Sequence, residues 1–360
     1  MPLDIVQSRL HNQLLSHAKF TRPEEVVAWL GAVQSQDYAG AKWALGLRIK
    51  GATDAAMDLA FNEGKILRTH MLRPTWHFVT PQDIRWMLML TAPRVHAANA
   101  FMYRQQELDQ ATIRKSYAVL EKVLQGNRQL TRTELGIALE QAGIKNAEGI
   151  RLGYFLMSAE LDGVICSGAR KGKQFTYALL EERASKVDLL KWDEALAELT
   201  RRYFATRGPA TLQDFTWWSG LTMLDAKQGM ESIHSQFAKE EIDGKTYWFD
   251  GSRSPVRANS PSAHLLPNYD EYFIGLKDRS AIGKLVSPLH PEENAVALNA
   301  HIVILDGQIV GGWRRTVKKN AVLLEFRLIT NLTTAQQEAV NQAANRYGEF
   351  MQLPVELVRL

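Results

Sequence analysis

The stretch "GAVQSQDYAGAKWALGLR", Gly31 to Arg48, interrupts an apolar, helix-forming passage with two glutamines around a serine and an aspartate directly after them. A glutamine amide brings two N–H donors and one carbonyl acceptor, and burying such groups unpaired costs about 1–3 kcal/mol each. Gln34 and Gln36 therefore belong either at the exposed end of a helix, in water, or in a cleft where both amides hold a water molecule or a base edge. Asp37 adds a carboxylate, the commoner group for activating water. Its competing role is N-cap of a helix over "AGAKWALGL", where an acid sits at the positive end of the helix dipole.

The chain that must position these groups has 360 residues, 46% of them hydrophobic and 23% charged. Domains usually run ~100–150 residues, so two or three modules are expected. There is no run of about 18 apolar residues, and the start "MPLDIVQSRLHNQ" lacks the basic and then apolar pattern of a secretory signal. A cytoplasmic protein with no membrane partner is expected. Cys166 is the one cysteine, which excludes an intrachain disulfide and a cysteine-built zinc site within one chain and leaves it as a small buried side chain on a strand. The nine histidines show no zinc-ligand spacing, and no Gly-rich phosphate loop is present, so no metal and no cofactor are expected. A net charge of +4 is too small to establish a nucleic-acid partner. Local clusters, each a solvated face or a phosphate contact, say more: "GARKGK" (Gly168 to Lys173) at a hairpin turn, "TRRYFATR" (Thr200 to Arg207) on a helix and "WRRTVKK" (Trp313 to Lys319) in a strand pair.

Helix starts are marked by a side-chain oxygen at the N-cap and an acid three residues later, which pair reciprocally with unpaired backbone N–H groups. The signal recurs as Thr21/Glu24 with Pro23, Thr80/Asp83 with Pro81 in the first helical position, Thr131/Glu134 and Thr211/Asp214. After Thr131 come a short helix ended by Gly143, a second helix from about Glu148 to Leu161, and two β-rich runs around a Gly- and Lys-rich turn. After Thr211 the order repeats, with a helix ended by Gly220, another from about Thr222 to His234, and strands around "DG", a favoured hairpin turn. Helix, turn, helix, hairpin is the order of a winged helix. The N-terminal third follows it too: a helix through "PEEVVAWLGAV", helices over "AKWALGLR" and Asp54 to Asn62, then two strands about "RPT". A Ser/Pro-rich linker, Ser252 to Ser262, precedes strands, a helix and a terminal strand. The expectation is an α+β protein of tandem winged-helix units with a C-terminal α/β element. Its parts are an N-terminal unit at 1–110 carrying Gln34-Ser35-Gln36, units at 111–185 and 186–255, and residues 256–360 completing the cleft.

The second helix of a helix-turn-helix unit can lie in the DNA major groove while the wing touches backbone. Tandem units read either as a non-enzymatic DNA-binding regulator or damage-recognition protein, or as the walls of a channel with something at its base that acts on DNA. Four stretches bear on that choice. "LGAVQSQDYAGAKWALGLR", "LRTHMLRPTWHFV", "HLLPNYDEYFIGLKDRS" and "DGQIVGGWRR" together resemble the AlkZ-like winged-helix DNA glycosylases, over about residues 10–330 and in the family's order.

The resemblance implies a bacterial base-excision-repair hydrolase, nucleoid-associated, that excises N7-alkylated purines from duplex DNA. It places the family's Gln-x-Gln motif on Gln34 and Gln36 as catalytic residues. A related branch carries a carboxylate at the second position; Gln36 argues for the Gln/Gln branch and against broad cross-link unhooking, with bulky adducts or cross-links at the edge of the range. Support from Asp37, Asp270 or Glu271 is implied, the last two because "YDEY" faces the cleft in the family; a salt bridge to Lys277 or Arg279 is their alternative. Arg73 and His77 of the first hairpin are DNA contacts by the same resemblance, His77 alternatively packing beside Trp76 and Phe78. Arg314 and Arg315 would grip backbone, or be solvated beside a structural Trp313. Lys42, by its helical position, and Arg170, Lys171 and Lys173, by their turn, complete the expected phosphate contacts. No lysine stands beside the motif as a Schiff-base nucleophile, so lyase activity is not expected. A monomer is expected.

The chemistry suits amides. An N7-alkylated purine is already cationic, so its glycosidic bond breaks without a strong general acid, and the protein needs mainly to steady an oxocarbenium-like sugar and aim a water at C1′.

Overall fold

The computed structural model describes residues 3–184, 190–252, 260–286 and 301–359. Its first helices, α1 (Ile5–Asn12) and α2 (Pro23–Leu30), lead directly into the glutamine motif. Pro23 opens α2, where its missing N–H costs nothing. The N-cap is Arg22 rather than Thr21, and Glu25 rather than Glu24 accepts its backbone N–H at 3.0 Å, so the expected cap is displaced by one residue. Gly31 stops the helix by taking φ 79°, a conformation other residues avoid. Helix does not continue to Val33 as the apolar run suggested; Val33–Gln34 form a two-residue strand, β1. Beyond it lie α3 (Tyr38–Gly46), which starts before the expected Ala41, and α4 (Asp54–Asn62). Strands β2 (Leu67–Met71) and β3 (Thr75–Val79) then form the expected hairpin. The sheet order is β1-β3-β2, which puts Gln34 opposite His77.

Helix α5 (Ile84–Gln105) begins later than the Thr80/Pro81 signal. The reason is the use made of Asp83. Its carboxylate accepts from Thr80 Oγ1, Trp86 Nε1 and Arg202 Nη1 instead of capping backbone N–H groups. The next array is α6 (Gln110–Leu124), β4 (Leu130–Thr131), α7 (Arg132–Gln141), α8 (Gly149–Leu161), β5 (Ile165–Ser167) and β6 (Thr176–Leu179). Its Thr131/Glu134 capping box is closed as expected, and its strands order β4-β6-β5. A third array follows the short α9 (Leu180–Arg183): α10 (Trp192–Arg207), α11 (Leu212–Ser219), α12 (Met223–Ile233) and the hairpin β7 (Ala238–Ile242) with β8 (Lys245–Phe249). Thr211/Asp214 caps α11 and the left-handed Gly220 ends it.

Residues 253–259 of the Ser/Pro-rich stretch lie outside the described residues. Then come β9 (Ala263–Leu266), α13 (Glu271–Ile274), β10 (His301–Leu305), β11 (Gln308–Val317), β12 (Val322–Leu328), α14 (Thr334–Met351) and β13 (Val355–Arg359). Their five-stranded sheet orders β13-β12-β11-β10-β9, antiparallel except for the β12/β13 pair that α14 connects.

Packing explains where the motif ends up. One core joins α2–α4 to the five-stranded sheet and α14, with Trp43 at 5.0 Å from both Tyr347 and Phe350 and donating to Leu265 O. A second core joins β2, β3 and α5 to α10–α12. Val33 belongs to the first and Ala32 to the second. The chain thus reaches Gln34 along the seam between them. Cys166 is buried on β5, where burial pushes its thiol up to about 12. Among the described residues no helix is long and apolar enough to cross a membrane, and no group of His, Cys, Asp and Glu is placed to hold a metal ion.

Candidate functional site

Gln34 is buried, 6% exposed, and charged groups from separate elements hold it at two points. Its backbone N–H donates to Glu271 Oε1 at 2.9 Å. Its side-chain carbonyl accepts from Arg73 Nη2 at 2.8 Å. A carbonyl oxygen has two lone-pair sites, so Arg73 occupies one, polarises the amide and leaves the other available. The same bond sets which end of the amide is oxygen. Arg73 itself is held by Trp217 O, at 3.1 Å, and lies 5.7 Å from the Trp217 ring.

Glu271 anchors the other side. Fully buried, it receives Arg207 Nε and Nη2 and Trp218 Nε1 on Oε2 while Oε1 serves Gln34. Arg207 also donates to Leu30 O and Ala32 O, the carbonyls on either side of the Gly31 turn. A carboxylate from the C-terminal third and a guanidinium from α10 therefore clamp the backbone leading to the motif. The ion pair is 2.6 Å long with both side chains at 0% exposure. Arg207 neutralises the Glu271 charge, and both Glu271 oxygens already accept hydrogen bonds inside the protein.

Beyond Gln34 the motif opens. Ser35 is buried; its N–H donates to Trp76 O, its carbonyl accepts from Arg68 Nε, and its hydroxyl has no hydrogen-bond partner among the described residues. Arg68 lies between the rings of Trp76 and Phe175, 4.2 and 4.6 Å from their centroids, and burial lowers its pKa to about 10. Gln36 is exposed, with one long contact of 3.4 Å from Trp76 N to its carbonyl. Asp37 takes the capping role, accepting from Gly40 N at 3.0 Å, with Arg315 Nη2 at 3.6 Å.

Several expected contacts have other partners. Asp270 sits beside Glu271 but is bidentate to Arg48, 2.8 Å to each oxygen, and fully buried. The acids of "YDEY" thus pair with Arg48 and Arg207, not with Lys277 or Arg279. Lys42, expected at a phosphate, is buried and donates to Asp54 and Asp58 at 2.7 and 2.9 Å. His77 is fully buried, which removes it from direct phosphate contact. Its Nδ1–H donates to Thr75 O, Nε2 has no partner among the described residues, and burial and nearby Arg73 push its pKa well below 6.5, so it is neutral. Arg73, half-buried, donates to the Gln34 carbonyl and to Trp217 O. Arg170 is half-buried, over the rings of Tyr38 and Phe175, with Nη1 3.6 Å from Asp58.

Lys171 and Lys173 are exposed at the β5–β6 turn, Lys171 with a surface pair to Glu134. Strand alternation splits the two arginines of "GGWRR". Trp313 and Arg315 face α14, Arg315 reaching Asp37, whereas Arg314 is exposed. Sequence reasoning missed Arg48, Arg68, Arg207 and Trp218. Arg207 was visible only as one cation in a basic helix, and a single sequence carries no signal that separates this buried arginine from the partly exposed Arg201 six residues earlier.

The arrangement thus offers one preorganised amide, a second, exposed amide beside it, and aromatic–arginine walls. Comparison with known proteins bears on its use. A family model described as "DNA glycosylase AlkZ-like" matches residues 27–350. A protein of Streptomyces sahachiroi named "Interstrand DNA cross-link repair glycosylase" is 23% identical over 371 aligned positions, which cover 97% of each chain. The solved structure of Streptomyces sahachiroi DNA glycosylase AlkZ superposes with a TM-score of 0.81 at 20% identity, covering 99% of this chain and 98% of that one.

Proposed function

Because the chain belongs to the AlkZ-like DNA glycosylase family, we propose that it hydrolyses the N-glycosidic bond of N7-substituted purines in duplex DNA, with Gln34 and Gln36 placing the water. The observation that carries this reading is Gln34 itself: a buried amide fixed by Arg73 at its carbonyl and by Glu271 at its backbone N–H. In the step, the C1′–N9 bond breaks with its electron pair leaving on the base, so the cationic N7-alkyl purine departs neutral. Water then forms the new bond to C1′ and releases a proton. The free lone pair of the Gln34 carbonyl accepts a hydrogen bond from that water, and the Gln36 carbonyl approaches from the open side. Both carbonyl dipoles also face the developing sugar cation.

The absence of a free carboxylate at Gln34 becomes a source of selectivity. Glu271 is neutralised by Arg207 and Asp37 caps α3. Amides alone assist a leaving group that is already activated, so unmodified guanine, a poor leaving group, is spared. The same arrangement favours monofunctional hydrolysis. Among the described residues no lysine hydrogen-bonds Gln34 or Gln36, and Lys42 is held by Asp54 and Asp58.

We read the three helix-and-hairpin arrays as winged helices at 1–110, 111–185 and 186–255, with 256–360 completing a cleft that a monomer presents to DNA. Exposed Lys171, Lys173 and Arg314 would meet its phosphates. The name of the Streptomyces relative extends the proposed range to bulky adducts and interstrand cross-links, and the expectation set against them on Gln36 is dropped.

The test is a duplex carrying one N7-methylguanine, incubated with excess protein and assayed for abasic sites. Abasic product from the wild type, absent from Gln34→Ala at equal DNA occupancy, is the expected result. Tight binding without product from the wild type would overturn this reading and leave a non-enzymatic damage-recognition protein.

A further inference from the structure

A second basic surface lies on the third array and shares no residue with the site above. α11, α12, the β7–β8 hairpin and the segment after α13 enclose a cleft of about 750 Å³ lined by Lys227, Lys239, Lys245 and Lys277. All four lysines are exposed. Two carboxylates share the cleft, and both are engaged. Asp214 is fully buried and accepts backbone N–H groups of Thr211, Lys277 and Asp278. Asp278 pairs with Lys245 at 2.6 Å. Lys227, Lys239 and Lys277 then have no carboxylate partner among the described residues, Lys239 lying over the Trp248 ring at 5.6 Å. Three like charges facing one cleft repel each other unless an anion joins them.

The position of the cleft indicates which anion. Gln213 lines it, and Trp217, one turn along on the same face of α11, adjoins the candidate site through Arg73, which donates to its carbonyl. Four residues of helix span about 6 Å. Each strand of DNA places a phosphate about every 3.4 Å of helix axis, so a duplex met at Arg73 and Gln34 carries further phosphates past the α11 residues that line the lysine cleft. Lysine ammonium groups hold phosphate as point charges, without reading sequence.

We propose that this lysine cleft grips the sugar-phosphate backbone of the DNA duplex flanking the target nucleotide. The proposal rests on the DNA glycosylase reading for its substrate, and its role is binding alone, separate from bond cleavage. It contributes affinity that is independent of lesion and sequence.

The test uses the full chain carrying Lys227→Ala, Lys239→Ala and Lys277→Ala together; Lys245 is kept because it pairs with Asp278. Affinity for an undamaged duplex is measured by fluorescence anisotropy between about 50 and 200 mM salt, where log K falls linearly with log salt by about 0.9 for each phosphate contact. The expected result is a slope shallower by roughly 2–3, with the single-turnover excision rate at saturating protein unchanged and the three-arginine variant restoring the slope. An unchanged slope in the folded triple-alanine variant would overturn the proposal and leave the cleft to another acidic partner. A fall in the saturated excision rate would overturn it too, since the lysines would then serve the reaction itself. If the wild type binds duplex with a steep, lysine-dependent slope but makes no abasic sites, the glycosylase reading fails and the grip stands. If it makes abasic sites and the slope ignores the lysines, the grip alone fails.

Discussion

On the Gln34 side of the motif, each charged group that holds Gln34 or the backbone leading to it is itself held: Arg73 by Trp217 O, Glu271 by Arg207 and Trp218, Arg207 by the carbonyls of Leu30 and Ala32. On the Gln36 side, two residues later, the side chain is exposed with one 3.4 Å contact, and the neighbouring acid is 3.6 Å from its arginine. The contrast teaches that the two glutamines are not equivalent halves of one device. A group held before the substrate arrives incurs little further ordering cost when it acts, whereas an exposed one must be ordered by the substrate. In the proposed reaction Gln34 would position and Gln36 would close around what is bound.

The largest effect is expected from breaking the closed side. Glu271→Gln leaves Arg207 buried without its counter-charge and should destabilise by about 3–5 kcal/mol, seen as a lowered denaturation midpoint. A midpoint shift worth less than about 1 kcal/mol would show that the clamp is not what holds β1. Next comes Gln34→Ala, which removes the preorganised amide. The single-turnover excision rate should fall by about 10²–10³ with DNA affinity retained, the loss typical of one positioned polar group.

Acid should weaken the fold at two buried histidines, His77 opposite Gln34 and His264 on β9. His77 has a folded-state pKa well below 6.5, and His264 one of about 3, burial being the main cause for both. The unfolded chain takes up these protons first as pH falls, so stability is full above about pH 6.5 and declines below it, by about 2 kcal/mol at pH 5 for His264 alone, with His77 adding a loss of the same sign. Denaturation midpoints measured from pH 7.5 to 5 check the sign; stability that holds to pH 5 in the wild type would contradict buried neutral histidines. The smallest effect belongs to Gln36→Ala. An exposed amide with one long contact contributes about one hydrogen bond, a five- to tenfold rate loss with unchanged stability. Equal losses for the two glutamine variants would erase the contrast.

Local signals were the legible part of this chain. Thr131/Glu134 and Thr211/Asp214 close as capping boxes, Gly31 and Gly220 stop helices with positive φ, and "DG" turns two hairpins at Asp243–Gly244 and Asp306–Gly307. These succeed because cap and turn chemistry operates within four residues. Where a competing partner lay far away in sequence, the local signal lost. Asp83 turned to Arg202, across 119 positions, and α5 began late. At the site, the residue types of Gln34-Ser35-Gln36 were readable as a motif, but the short strand β1 was not, since two residues carry no periodicity.

By itself the sequence determined the helix and hairpin order, the family-like placement of two amides, and the lack of any cysteine pair. Only the tertiary structure decided which charged residues are buried. Arg48, Arg207, Lys42, Asp270 and Glu271 look in sequence like any solvated charges, yet each is buried and paired. The physical reason is that an ion leaves water only when a partner is delivered to it. Here the partners come from elements 222, 64 and 12 positions away, as a property of packing and not of composition.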